Sequence, residues 1–370
     1  MADPVALWKE IEACTRVGDP RIREAFLRVP RAAFVRGAAS AYRNEGIPVK
    51  ERGQEVLSSS TTPSLMADML DALEVPTGAR VLEVGAGSGF NAALLAVLVG
   101  PAGRVVSLDI ETDLVEAAAA VCRGLDLPTR PVFLSRDGRA GAPEQGPYDR
   151  IVVTAGLSFL PPAWLDQLNP GGAILLPWKF RGLDFLVRLR PCSSHQLRGP
   201  VLAPCSFPSL RGGLDDPLHR WHEVADIREL QDRAPVAEQL ETFQRHPWAH
   251  LAFALYAALG SPAFRLSVGR VRQPDGRWGA LSLYWSGECF SLWTREQAFH
   301  TDSQAQEAFH LRLEEWRSAG APGCCDWELV VDFEPVPPPP EAFSILLPRG
   351  RQRLSWRRTP QGAGHSTSSR

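Results

Sequence analysis

The run Val81-Leu82-Glu83-Val84-Gly85-Ala86-Gly87-Ser88-Gly89 is the densest chemical signal in the sequence. It sets three alternating glycines between an apolar run suited to a strand and another suited to a helix. Glycine at such a junction lets the backbone approach a ligand, and the following helix offers free N–H groups. Taken alone, the run is explained equally well by a tight turn. Asp109 ends the next strand-like run, roughly 20 residues on, where an acid can accept both hydroxyls of a ribose. The plainer alternative for Asp109 is a helix-capping carboxylate. Asp137-Gly138 follows a third run, where a carboxylate can meet an adenine amino group. The acidic Glu83 opens an E-x-G-x-G-x-G pattern. That favours S-adenosylmethionine, a cation with no pyrophosphate, over a dinucleotide.

These residues need a frame. Strand-like runs at Arg80 to Val84, Arg104 to Leu108, Pro131 to Leu134, Arg150 to Thr154 and Gly172 to Leu176 alternate with helical runs. Asn91 to Val99, Asp113 to Cys122 and Pro162 to Leu168 supply the helices. Fully apolar strands alternating with helices predict a doubly wound, mostly parallel α/β sheet. Thr62-Pro63 reads as an N-cap and first helical position, with Leu65, Met66, Met69, Leu70 and Leu73 on one face. Residues 36 to 60 lack periodicity and read as a loop. After Asp215 the character changes: charged helical sequence from Trp221 to Leu240 gives way to a second, antiparallel α+β pattern. The division expected is a catalytic domain at 1–214, an accessory α+β domain at 215–347 and a basic, disordered tail at 348–370.

Composition narrows the class. A net charge of −2 gives no electrostatic footprint for nucleic acid or an acidic membrane surface. The seven cysteines form no C-x-x-C pair, and no histidine spacing completes a ligand set, so no metal is expected. The longest apolar stretch is too short for a bilayer and no signal peptide is indicated, which predicts a cytoplasmic protein.

Residues 20 to 213 resemble the protein-L-isoaspartate O-methyltransferases. The likeness runs through Arg28-Val29-Pro30-Arg31-Ala32-Ala33-Phe34-Val35, Ser59-Ser60-Thr61-Thr62-Pro63 and the glycine run. It continues through Asp137-Gly138, Tyr148 to Ala155, Leu165 to Gly172 and Leu176-Pro177. The resemblance implies a Rossmann-like fold, S-adenosylmethionine as cofactor and methylation of a carboxylate within a peptide. It places Glu83, Gly85, Gly87, Gly89, Asp109, Asp137, Gly138 and Thr154 around the cofactor. Thr61, with Ser60, falls where the family has a serine beside substrate and methyl donor. Ser59, Ala155 and Gly156 fall beside the substrate. The bland reading of Ser58 to Thr62 is a polar loop that caps the next helix.

Three departures bear on the substrate: Thr61 in place of serine, Gly156-Leu157-Ser158-Phe159 after Ala155, and the long continuation past Gly213. They lean toward a peptide-tailoring branch of the family, in which an Asp of a ribosomally made peptide is esterified and closes to an aspartimide. The accessory domain is then expected to hold that peptide. The alternatives are repair of L-isoaspartyl residues in damaged proteins and, from another class, a cofactor-binding adaptor without turnover.

Overall fold

The computed structural model describes residues 3–37, 40–53, 55–180, 183–211, 223–224, 236–239, 248–260, 266–272, 278–286, 289–293, 297–300, 302–334, 343–346 and 353–358. Helices α1 (Pro4–Cys14) and α2 (Pro20–Arg28) begin at Asp3 and Asp19, whose side chains cap them with proline just inside. Then come strands β1 (Ile47–Arg52) and β2 (Glu55–Ser60), and helix α3 (Pro63–Leu73). The alternating core follows: β3 (Arg80–Val84), α4 (Phe90–Val99), β4 (Arg104–Asp109), α5 (Thr112–Arg123), β5 (Val132–Ser135), β6 (Tyr148–Val153) and α6 (Pro162–Leu165). Three long strands come next: β7 (Leu168–Phe180), β8 (Leu183–Ser193) and β9 (Gln196–Pro204).

Strands β3 to β7 are parallel, in the order β7-β6-β3-β4-β5. The order reverses at β3, whose neighbours β4 and β6 run on in opposite directions across the sheet. Crevices at such reversals open at the carboxyl ends of the strands, where α/β sheets bind ligands. Both faces are apolar because successive side chains alternate. Val81, Val105, Val152 and Leu175 pack into the cluster with Trp8, Phe26, Met66 and Leu95 of α1 to α4. Leu82, Val106, Ile151 and Ile174 face the other way, beside Trp164 of α6. The expected α/β fold is therefore present.

The segment 36–60 corrects the loop expected there. It holds the hairpin β1–β2, with Gly53 at φ +62 in its turn. The alternation is hidden because the ribbon carries Lys50, Glu51, Arg52 and three serines, and its burial is slight. Strand β9 also escaped the sequence reading because it contains Gly199 and Pro200. Any side chain at Gly199 would run into the carbonyl of Arg188 on β8.

The chain beyond 215 divides differently from expectation. Strands β10 (Glu223–Val224), β11 (Val236–Gln239), β12 (Leu266–Arg272), β13 (Trp278–Ser286), β14 (Cys289–Trp293) and β15 (Gln297–His300) form a second, six-stranded sheet. The two short strands stand where charged helix was expected, and the rest of 225–235 lies outside the described residues. Strands β16 (Trp327–Asp332), β17 (Phe343–Leu346) and β18 (Arg353–Arg358) instead extend the first sheet to ten strands, through antiparallel pairing of β16 with β9. The boundary at 348 thus separates two neighbouring strands, and the expected disordered tail contains β18.

Helices α7 (Ala249–Gly260) and α8 (Ser303–Ser318) share one apolar cluster with Leu82, Ile151 and Trp178, through Phe253, Phe309 and Trp316. Full burial of Trp164, Trp178, Trp327 and Trp356 contributes on the order of 2–3 kcal/mol each in removed apolar surface. Among the described residues, no helix is long and apolar enough to cross a membrane.

Candidate active site

The glycine loop is held from below. The N–H groups of Gly85 and Ala86 both donate to the carbonyl of Leu108 at 2.8 Å, and Gly87 donates to Asp109 Oδ2 at 2.9 Å. Gly89 donates to Ala86 at 2.8 Å. Four amides that cradle a phosphate in dinucleotide-binding loops are therefore already engaged with the protein. Gly85 has φ +105, and a Cβ there would collide with Thr154 Oγ1, which bonds the Gly85 carbonyl at 2.6 Å. Asp109 Oδ1 accepts from Glu111 N at 3.0 Å. Each carboxylate oxygen has two acceptor sites, so Asp109 keeps one on each for a pair of hydroxyls.

Glu83 lies beneath the loop with no exposed surface. Asn91 Nδ2 donates to its Oε1 at 2.7 Å, and Ser107 Oγ donates to its Oε2 at 2.5 Å. Burial nevertheless pushes its carboxyl up to about 7. The folded protein thus holds a proton that the unfolded chain releases near 4.5. Stability from this group falls as pH rises from that value to about 7, and is lost above it. In Glu83→Gln the amide keeps both partners and removes this dependence. Urea unfolding at about pH 5 and about pH 8 should show the variant gaining on the wild type by about 2–3 kcal/mol. A constant difference across that range contradicts the assignment.

Asp137 begins a short turn. Its Oδ1 accepts from Arg139 N at 2.9 Å and its Oδ2 from Arg139 Nε at 2.7 Å, and the Arg139 bond holds its carboxyl below the usual range. Gly138 is required because a side chain would press into Val84 at the end of β3.

Hairpin strand β2 closes one wall with Ser58, Ser59, Ser60 and Thr61. Ser58 Oγ stands so near Gly87 that a Cβ on that glycine would lie 3.2 Å from it. Arg31, 1% exposed, fixes this wall from behind. Its guanidinium donates to the carbonyls of Ala41, Arg43, Glu45, Ser60 and Thr61 at 2.9 to 3.5 Å, and to Ser60 Oγ at 3.4 Å. The sequence shows Arg31 as part of a motif, yet nothing in the motif reveals this task.

The opposite wall was missed altogether. Phe207, Pro208, Ser209, Leu210 and Arg211 cross the cleft as a strap. Gly156 anchors it: Gly156 N donates to Pro208 O at 2.8 Å, and Leu210 N donates to Gly156 O at 2.7 Å. A side chain at Gly156 would strike Lys179, which pairs with Asp184 at 2.7 Å while both are buried. Asp184 also accepts from Phe207 N at 3.3 Å. Only a pairing between distant segments reveals the strap, and no local pattern marks it.

Thr61, Ser60, Ser59, Glu83, Gly85, Gly87, Asp109, Asp137, Gly138, Thr154 and Ala155 all line one cleft of about 100 Å³, together with Asn91, Ile110 and the strap. Gly89 and Gly156 stand outside the lining. Gly89 opens α4 at φ +84, with Ala118 of α5 so near that a Cβ would lie 2.6 Å from it.

A cleft at the reversal of a parallel sheet, with an acid ending β4 and loop amides engaged internally, defines an S-adenosylmethionine-dependent methyltransferase. The family model for protein-L-isoaspartate(D-aspartate) O-methyltransferase matches residues 5–210. A protein-L-isoaspartate O-methyltransferase of Methanopyrus kandleri is 35% identical over 201 residues, covering 53% of this chain and 87% of its own. A solved protein-L-isoaspartate O-methyltransferase superposes with a TM-score of 0.55 at 24% identity, over 89% of this chain and 96% of its own. A Plasmodium falciparum structure, described as a beta-aspartate methyltransferase in complex with S-adenosyl-L-homocysteine, gives 0.50 at 18%, over 57% and 99%. The chain belongs to the protein-L-isoaspartate(D-aspartate) O-methyltransferase family, and S-adenosylmethionine is its cofactor.

Proposed function

We propose that this protein esterifies the free carboxylate of L-isoaspartyl residues in peptides or damaged proteins, the first step of their return to aspartate. The observation that carries this reading is the meeting of the Ser59–Thr61 wall with the glycine loop and Asp109 in one cleft, within the span matched by the family. S-adenosylmethionine supplies a methyl group on a cationic sulfur. The isoaspartyl carboxylate is ionised at neutral pH, so the site needs no strong base. The chain's own work is to align the carboxylate oxygen and to exclude water. In this reading the Thr61 hydroxyl donates to the carboxylate, Ser60 and Ser59 shape its surroundings, and Ala155 and the strap supported by Gly156 form the far side. Asp109 accepts the ribose hydroxyls, with Asp137 and Gly138 bordering the adenine.

The departures at Thr61 and at Gly156 to Phe159 support a second reading. In it an Asp of a constrained, ribosomally made peptide is esterified, and the ester closes on the next amide with release of methanol. The extension past residue 213 no longer argues for that reading, because the fold of a solved isoaspartate methyltransferase follows 89% of this chain.

Mass spectrometry of the protein with S-adenosylmethionine and two peptides separates the readings. A methyl ester on a linear isoaspartyl peptide supports repair. Net loss of water from a constrained Asp peptide alone supports tailoring. No transfer to either, with S-adenosylhomocysteine still bound, supports an adaptor. Thr61→Val should lower kcat on the accepted peptide by about 10- to 100-fold, as for loss of one positioning hydrogen bond. Thr61→Ser should keep the rate within about threefold. Equal rates in the valine variant remove Thr61 from the mechanism.

A further inference from the structure

Glu111 follows Asp109 by two residues and begins α5. Its carboxylate is bonded on one oxygen by Lys50 of β1 and on the other by Arg211 of the strap. These two cations come from two separate chain segments. Lys50 belongs to the ribbon that carries Ser58 to Thr61, and Arg211 ends the strap that begins at Phe207. One carboxylate thus ties the two walls together beside the cofactor-binding Asp109.

We propose that Lys50, Glu111 and Arg211 form a clasp that holds the two walls closed over bound cofactor and limits the release of S-adenosylhomocysteine. The clasp is built to open. Glu111 is 16% exposed, Lys50 25% and Arg211 34%, so all three groups remain within reach of water and salt. Lys50 already has an alternative partner, bonding Asp113 at 2.6 Å. It also borders a second hollow of about 580 Å³, behind Gly87 and Ser88, into which it can withdraw while keeping Asp113. Lys50 and Arg211 together hold the Glu111 carboxyl below the usual range, and Lys50 does the same for Asp113, so the clasp stays charged throughout the neutral region. The inference rests on the cleft being the cofactor site. It adds that the barrier to leaving is an ion-pair contact rather than the cleft's own lining.

The test is stopped-flow displacement of S-adenosylhomocysteine from the full chain. For the wild type, the release rate should rise several-fold between about 50 mM and about 500 mM sodium chloride, as screening weakens the contact. Glu111→Gln should release about five- to tenfold faster at low salt and lose most of the salt dependence. Lys50→Met and Arg211→Met should each give part of the effect, and their double variant should match Glu111→Gln rather than exceed it. These two partly buried positions keep the test available should Glu111→Gln fold poorly. Release rates within about twofold of wild type, with the same salt slope, overturn the clasp. Failure of the wild type to bind S-adenosylhomocysteine overturns the cofactor site itself, a separate and recognisable outcome.

Discussion

Arg31→Met should unfold at a melting temperature about 5 °C lower than the wild type, a loss of about 4 kcal/mol. The guanidinium is buried with no carboxylate beside it among the described residues, and burial lowers its pKa to about 10. It is therefore a cation at neutral pH whose lost hydration is replaced by five backbone carbonyls and the Ser60 hydroxyl. Those carbonyls belong to residues 41–45 and 60–61, two segments with little apolar surface to hold them. Methionine fills similar volume but leaves five acceptors without a donor, at about 1 kcal/mol or more each where water cannot enter. Arg31→Lys should recover part of the loss, since one ammonium has three donors but lacks the planar fork. Thermal unfolding followed by circular dichroism decides this. A methionine variant within about 1 kcal/mol of wild type would mean that solvent readily satisfies those carbonyls. Because Arg31 also sets Ser60 and Thr61, surviving Arg31→Lys should show a raised KM for peptide and an unchanged affinity for S-adenosylhomocysteine.

Asp109→Ala should weaken S-adenosylhomocysteine binding by about 100-fold or more, close to 3 kcal/mol, with the fold retained. Three losses coincide at this residue. The proposed ribose contacts disappear, Gly87 N loses its acceptor, and Glu111 N loses the bond that fixes the start of α5. The alanine leaves the glycine loop free to turn Gly87 N toward the cleft. Asp109→Asn keeps one acceptor and should fall between the two. Isothermal titration against S-adenosylhomocysteine measures each affinity. A drop of less than about tenfold in the alanine variant would assign Asp109 to loop support alone.

Much of this site was legible because turn chemistry and strand ends are local properties. Gly85, Gly87, Asp109 and Asp137 each follow an apolar run, and the parallel sheet necessarily gathers such positions at one edge. The hairpin was not legible, since its strands carry charge and serine where a buried strand carries alternating apolar residues. The strap was hidden for a different reason. Phe207-Pro208-Ser209-Leu210 has no period, and only its bonds to Gly156 bring it across the cleft. Glu111 stands at the N-terminus of α5, where an acid needs no special partner. Its partners lie 61 and 100 residues away, a distance that no local pattern spans. Residues 327–332 read as part of a separate unit, and 353–358 as part of a disordered tail, because nothing in their own sequence reveals that they continue the sheet beyond β9.

That neighbour relation has a consequence during synthesis. Strand β9 is made about 125 residues before β16, the strand that covers its free edge. At about 5–20 residues per second, a ribosome leaves that edge uncovered for roughly 6–25 seconds, while the parallel core behind it can already form. An uncovered edge is a template for another chain, and Arg198 and Pro200 stand along this one as a charged and a hydrogen-bond-poor guard. Nascent chains stalled between β9 and β16 are therefore the state in which this protein most needs a chaperone.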